Sequence, residues 1–294
     1  MGEAIVVKRG SGVVTITFEN YKVYGDTVTR TIPTALSAAR NWLAGASVGD
    51  YALFAGGSGP SSVVDAYDTD LIRTTPTAAL SAARAWLAGT SVGNYALFAG
   101  GNTGSASAVV DAYDTNLTRT TPTPLSVERQ SAMGASAGNY AIFAGGYRGS
   151  YFNTVDAYDT DLTRFTPKVL SVARSSVAAA SVGDYALFAG GDTGSTYHST
   201  VDAYDIDLTH STPTALSAAR GFLAGASVGN YALFAGGSGP SSVVDAYSAN
   251  LTRTTPAALS TARRDLAGAS VGNYALFAGG YTGSYSSVVD AYDT

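Results

Sequence analysis

Apolar and polar positions alternate along this chain in short bursts, and glycine, proline, aspartate or asparagine closes each burst. Between Trp42 and Thr75 four bursts follow one another, at residues 42–48, 51–56, 63–68 and 71–75, rich in Tyr, Phe, Val and Thr. Such residues in runs this short predict strands, here lettered a, b, c and d. The a–b junction, Val48-Gly49-Asp50 or Val92-Gly93-Asn94, carries the residues of a tight hairpin. The Ser-Ala-Ala-Arg run ahead of strand a is too short for a helix of useful length and reads as a loop.

The pattern repeats. Tyr-Ala-Leu/Ile-Phe-Ala-Gly-Gly occurs six times, with its first glycine at Gly56, Gly100, Gly145, Gly190, Gly236 and Gly279, at intervals of 44, 45, 45, 46 and 43 residues. Residues 43–67 and 223–247 differ only at Asp50 and Asn230, which points to recent duplication or to a copied design. A four-stranded unit repeated this way is the signature of an all-β, six-bladed β-propeller of antiparallel blades. The reason is burial: one such sheet has two apolar faces, and radial packing covers both while leaving only short edges.

Counting strands suggests how the array closes. The chain stops on a c strand, residues 288–294, so the last blade lacks its d strand, while residues 27–32 form a surplus d strand at the other end. The expected organisation is a β-hairpin extension within residues 1–25, turning at Arg9-Gly10-Ser11-Gly12, and a propeller over residues 26–294 whose last blade is completed by residues 27–32. Residues 21–25 resemble a degenerate c strand that this scheme leaves over.

Composition narrows the function classes. Charged residues make up 13% of the chain and the net charge is -5, which argues against a nucleic-acid partner bound through a basic surface. No apolar run reaches the roughly 18 residues of a membrane-spanning helix, and Met1-Gly2-Glu3 before a short apolar run is not a secretion signal. The sequence leaves the location open, cytoplasmic or virion-associated, and the expected state is a monomer. There is no cysteine, hence no disulfide, thiolate metal site or cysteine nucleophile.

The repeat resembles the kelch family of β-propellers, most of all the simple, regular arrays of bacteria and bacteriophages. The likeness is carried by Gly56-Gly57, Tyr67 and Arg84 and their counterparts in every blade. The family's tryptophan position departs, holding Thr74, Thr120, Phe165, Ser211 and Thr254; Trp42, Trp86 and Phe222 are the expected substitutes in the packing between blades. The resemblance implies the fold and a binding module more often than an enzyme.

The inventory of reactive residues agrees with a non-enzyme. A copper site of the galactose-oxidase kind needs cysteine and several histidines, and the chain has only His198 and His210. The spaced acids Asp65, Asp68 and Asp70 lack the glycine and distal glutamate of a calcium loop and read as turn caps, so neither metal nor cofactor is expected.

Two features point to recognition instead. Arg40, Arg84, Arg129, Arg174, Arg220 and Arg263 each lie 16 residues before their Gly-Gly pair. Length variation concentrates in the b–c loop, which also holds Tyr147, Arg148, Tyr151, Tyr197, His198, Tyr281 and Tyr285. In an antiparallel blade the b–c and d–a connections emerge on one face, so arginines and aromatic loops share it. The opposite face carries Asp50, Asp68, Asp70 and Asp184, making the disc electrically polar. Either the arginines pair with the strand-c aspartates, Asp65, Asp111, Asp156, Asp202, Asp245 and Asp290, or they form a mouth that attracts an anion. The reading is a binding or display module for a protein or glycan ligand on this face, with an anionic centre as an option. Its alternatives are a structural or engineered scaffold without a ligand and, further off, an enzyme with loop-borne chemistry.

Overall fold

The computed structural model describes residues 5–9, 12–16 and 33–294. The chain divides into two compact units, Met1–Pro33 and Thr34–Thr294. In the first, the strands Ile5–Arg9 and Gly12–Ile16 pair antiparallel with Arg9 opposite Gly12.

The second unit is all-β. In blade one, strand a (Ala44–Val48) pairs with b (Tyr51–Ala55), b with c (Val64–Tyr67) and c with d (Arg73–Thr74), all antiparallel. Blades two to five repeat this order, and blade six consists of Ala267–Val271, Tyr274–Ala278 and Val289–Tyr292. The sheets form a six-bladed β-propeller, with no helix among the described residues. From blade one to blade six, strand a of each blade touches strand a of the next, which makes it the innermost strand. The approach is close enough to require glycine: a Cβ on Gly89 would stand 2.3 Å from the Gly45 carbonyl oxygen.

Five hydrophobic clusters hold the blades together, one at each junction from one–two to five–six. At the first, Leu53, Val64 and Ala66 meet Phe98 and Tyr113 of the next blade. Fully burying one such side chain stabilises by about 1.5–3 kcal/mol, so these junctions dominate the apolar energy of the fold. The outer faces of the terminal blades are less covered. Phe54 of blade one is 36% exposed where Phe98, Phe143, Phe188 and Phe234 are buried, and Val271 of blade six is 60% exposed.

Strands a and d are shorter than the sequence pattern suggests, for one reason. Trp42 and Leu71 take left-handed backbone angles, φ 55° and 61°, so pairing begins only beyond them, at Ala44 and Arg73. The c–d turn leucines Leu117, Leu162, Leu208 and Leu251 each pack onto the cluster of the preceding junction. Blade six has no such leucine among its described residues, and a cavity of about 450 Å³ lined by Val228, Leu233, Pro256 and Tyr292 lies there. The strand expected to complete this blade, residues 27–32, lies outside the described residues.

Candidate functional site

The six repeated arginines settle into the body of the blades. Each enters strand a and reaches the strand-c aspartate of its own blade: Arg40 to Asp65 at 2.8 Å, Arg129 to Asp156 at 2.8 Å, Arg174 to Asp202 at 2.6 Å and Arg263 to Asp290 at 2.6 Å, with Arg84–Asp111 and Arg220–Asp245 likewise paired. Five of the six are completely or almost completely buried, and their guanidiniums also donate to strand-b carbonyls such as Phe143 O and Phe188 O. Burial pulls Arg84, Arg129 and Arg220 below their ordinary value, against the opposing pull of Asp111, Asp156 and Asp245. Of the two alternatives, the arginines take the pairing with the strand-c aspartates, and the cationic mouth is not formed by them. Partnered, enclosed guanidiniums present no charge to an anion, and the polar disc loses its positive side.

The same residues explain the rest of the motif. In blades one to five the second glycine of the Gly-Gly pair donates its N–H to the arginine carbonyl of the next blade, as Gly57 does to Arg84 at 2.8 Å and Gly101 to Arg129 at 2.9 Å. A Cβ on Gly56, whose φ is +72°, would stand 2.6 Å from the Arg84 carbonyl oxygen, so this position needs glycine twice over. Each aspartate also accepts from a serine of the d–a loop, for example Ser171 N–H at 2.9 Å and Ser171 Oγ–H at 3.1 Å on Asp202. The strand-c tyrosines donate to d–a carbonyls, Tyr113 to Ala78 and Tyr158 to Thr123. Burial, with the nearby aspartate second, pushes their hydroxyls up, to about 12 for Tyr292.

In blades one to five a second basic side chain approaches the aspartate from strand d. Arg253 lies 2.9 Å from Asp245, and in blade four His210 takes this place, its Nε2 2.7 Å from Asp202 Oδ1. Burial alone would raise Asp202, but Arg174, the His210 hydrogen bond and Ser171 outweigh it and hold the carboxyl below the usual range. Serine, histidine and aspartate do meet here, yet Ser171 donates to the aspartate rather than to the imidazole, so no nucleophile is activated. His198 sits 3.5 Å from Thr193 Oγ1, and burial, with Arg174 second, lowers its basicity. The acids of the c–d turns cap backbone N–H groups: Asp68 Oδ1 accepts from Asp70 at 3.0 Å and Ile72 at 2.8 Å.

The face of the b–c and d–a loops carries the variation. Three positions per blade differ most: the two residues after the arginine and the residue after Gly-Gly. The pairs after the arginine read Asn41-Trp42, Ala85-Trp86, Gln130-Ser131, Ser175-Ser176, Gly221-Phe222 and Arg264-Asp265, with no two alike. Backbone bonds join these positions into a rim. Ala85 bridges Asn102, Gln130 bridges Tyr147, Ser175 bridges Asp192 and Arg264 bridges Tyr281 within their blades. From blade to blade, Trp86 N–H donates to Trp42 O, Ser131 to Trp86, Phe222 to Ser176 and Asp265 to Phe222, at 3.0–3.2 Å. The second residue of each pair holds a left-handed φ of 51–56°.

The loop tyrosines reach this rim in separate groups. Tyr147 and Tyr151 stack at 5.1 Å in blade three, and Tyr151 extends to Gly194 of blade four. Tyr197 lies against Gly221 of blade five, and Arg148 pairs with Glu128 at 2.7 Å in the open. Tyr281 and Tyr285 stand 5.9 Å apart in blade six, with Arg264 over the Tyr281 ring and Tyr285 95% exposed. Trp42 and Trp86 lie outside the hydrophobic clusters that hold the blades together. They pack on each other at 4.5 Å and 33° on the rim, 52% and 36% exposed. Comparing the six copies position by position shows these residues; attention to loop length alone passes over them.

No protein-family model matches the chain, and no curated protein matches it. Among solved structures the chain is similar to one described as the structure of YjhT, with a TM-score of 0.70 and 13% identity over 90% of this chain and 100% of that one. This likeness shows the fold, a β-propeller, and nothing finer.

Proposed function

We propose that the chain is a non-enzymatic binding module that recognises a protein or glycan through the rim of the b–c and d–a loops. One observation carries this reading: in a repeat whose strands are nearly identical, substitution gathers at three adjacent positions per blade on one face. Six pairs of residues with no two alike offer recognition chemistry on a scaffold that stays constant. The kelch-like assignment draws support from Gly-Gly, Tyr and Arg, which hold the same bonds in blade after blade. The non-enzymatic reading draws support from His210, which is tied to Asp202 while Ser171 donates to that same carboxylate, so no hydroxyl is bonded to its ring.

A ligandless scaffold is the second reading, favoured by the near identity of residues 43–67 and 223–247. A combined glycan and peptide array probed with the intact chain separates the two. The proposal expects saturable binding that Tyr197→Ala or Tyr281→Ala weakens; silence across the array, with the chain folded, supports the scaffold.

A further inference from the structure

We infer that Trp42 and Trp86 form a subsite for a neutral pyranose ring of a glycan, a reading that rests on the rim being a recognition surface. The two indoles come from adjacent blades, joined by the Trp86 N–H to Trp42 carbonyl bond of 3.0 Å. Both stand at left-handed backbone positions, φ 55° and 51°, which cost an L-residue roughly 1–2 kcal/mol. Glycine or asparagine would hold this conformation more cheaply. Both rings lie outside the hydrophobic clusters between blades, and a large part of each stands in solvent.

Charge and shape select the ligand. The flanking residues Asn41, Ser58, Ala85 and Asn102 carry no charge, and the nearest repeated guanidinium, Arg40, is turned inward onto Asp65. An anion thus gains no ion pair here, whereas a sugar's hydroxyls meet amides and a hydroxyl. The Asn102 carboxamide is already oriented, with Nδ2 on Gln130 at 2.5 Å and Oδ1 accepting from Gly104 at 2.7 Å, which leaves its second N–H for a ligand. A proline-rich peptide inserts its rings between separated aromatics. Indoles packed on each other at 4.5 Å and 33° leave no slot between them; the ring surface left open, larger on Trp42 at 52% exposure, is where the C–H face of a sugar ring lies.

The chain's only tryptophans are these two, so their fluorescence reports this subsite alone. The intact chain is titrated with neutral oligosaccharides (oligomers of glucose, galactose and N-acetylglucosamine), with sialylated and sulfated counterparts and with a proline-rich peptide. The expected result is a saturable emission change with at least one neutral oligosaccharide. That ligand's binding, followed by calorimetry, should weaken about tenfold or more in Trp42→Ala or Trp86→Ala and survive in Trp42→Phe. The inference is overturned if only charged glycans or the peptide change the emission, if nothing does, or if the alanine variants bind as the parent does. Binding on the array that leaves tryptophan emission unchanged refutes this subsite while sparing the wider reading; silence on the array refutes both.

Discussion

The body of the propeller and its rim are built from the same repeat, yet they follow opposite rules. In the body, one set of residues recurs, and through blades one to five each member has a partner: arginine on aspartate, tyrosine on a loop carbonyl, glycine on the next blade's arginine. On the rim, the residue pair changes at every blade, and side chains such as Trp42, Trp86 and Tyr285 stand in solvent. The boundary is sharp. Arg84 is fully buried, while Trp86 two residues later is 36% exposed. The left-handed backbone at Trp86 lets one short segment serve both purposes, locking inward through Arg84 and displaying outward through the indole.

The comparison breaks first in the body. Arg129→Ala leaves Asp156 buried without its main cation, and losing one partner of a buried pair costs about 3–5 kcal/mol. A urea melt checks this, and a change below about 1 kcal/mol would remove the pairs from the account. Deleting residues 1–32 is the next test in size. If residues 27–32 supply the missing d strand, position 28 has the register of Leu251 and the deletion lowers Tm; an unchanged Tm rejects that expectation.

Acid gives a smaller, graded effect. Asp202 and Asp290 lie below the usual carboxylate range, Asp290 through Ser260 and Arg263 against the opposing effect of burial. A carboxyl depressed in the folded state adds stability that is fully present above its unfolded value of about 3.9 and is lost as pH falls through the folded value. Stability should therefore fall steeply below about pH 4, and Asp202→Asn should flatten part of that fall in melts taken across the acid range. Smaller still is His210→Arg, which restores the side chain of the other blades and should change Tm by no more than a few degrees.

How much of this was legible follows the same division. Periodicity and repeat count reveal blades, strand order and the innermost strand, because burial dictates them. The strand-c aspartates were legible as partners of the arginines, but choosing between pair and anion site required burial, which spacing does not carry. In the sequence Trp42 and Trp86 look like packing residues because aromatic side chains in a strand pattern usually are; the turn that places them outside the strand depends on backbone angles. Residues 27–32 lie outside the described residues.

The most direct test of the division between body and rim is the thermal melt of the double variant Trp42→Ser, Trp86→Ser, which gives blades one and two the serine of blades three and four. Surface changes away from buried features stay within about 0.5 kcal/mol. For a chain of this size the account predicts a Tm within about 2 °C of the parent. A fall comparable to that of Arg129→Ala would show that the indoles belong to the body, and would contradict it.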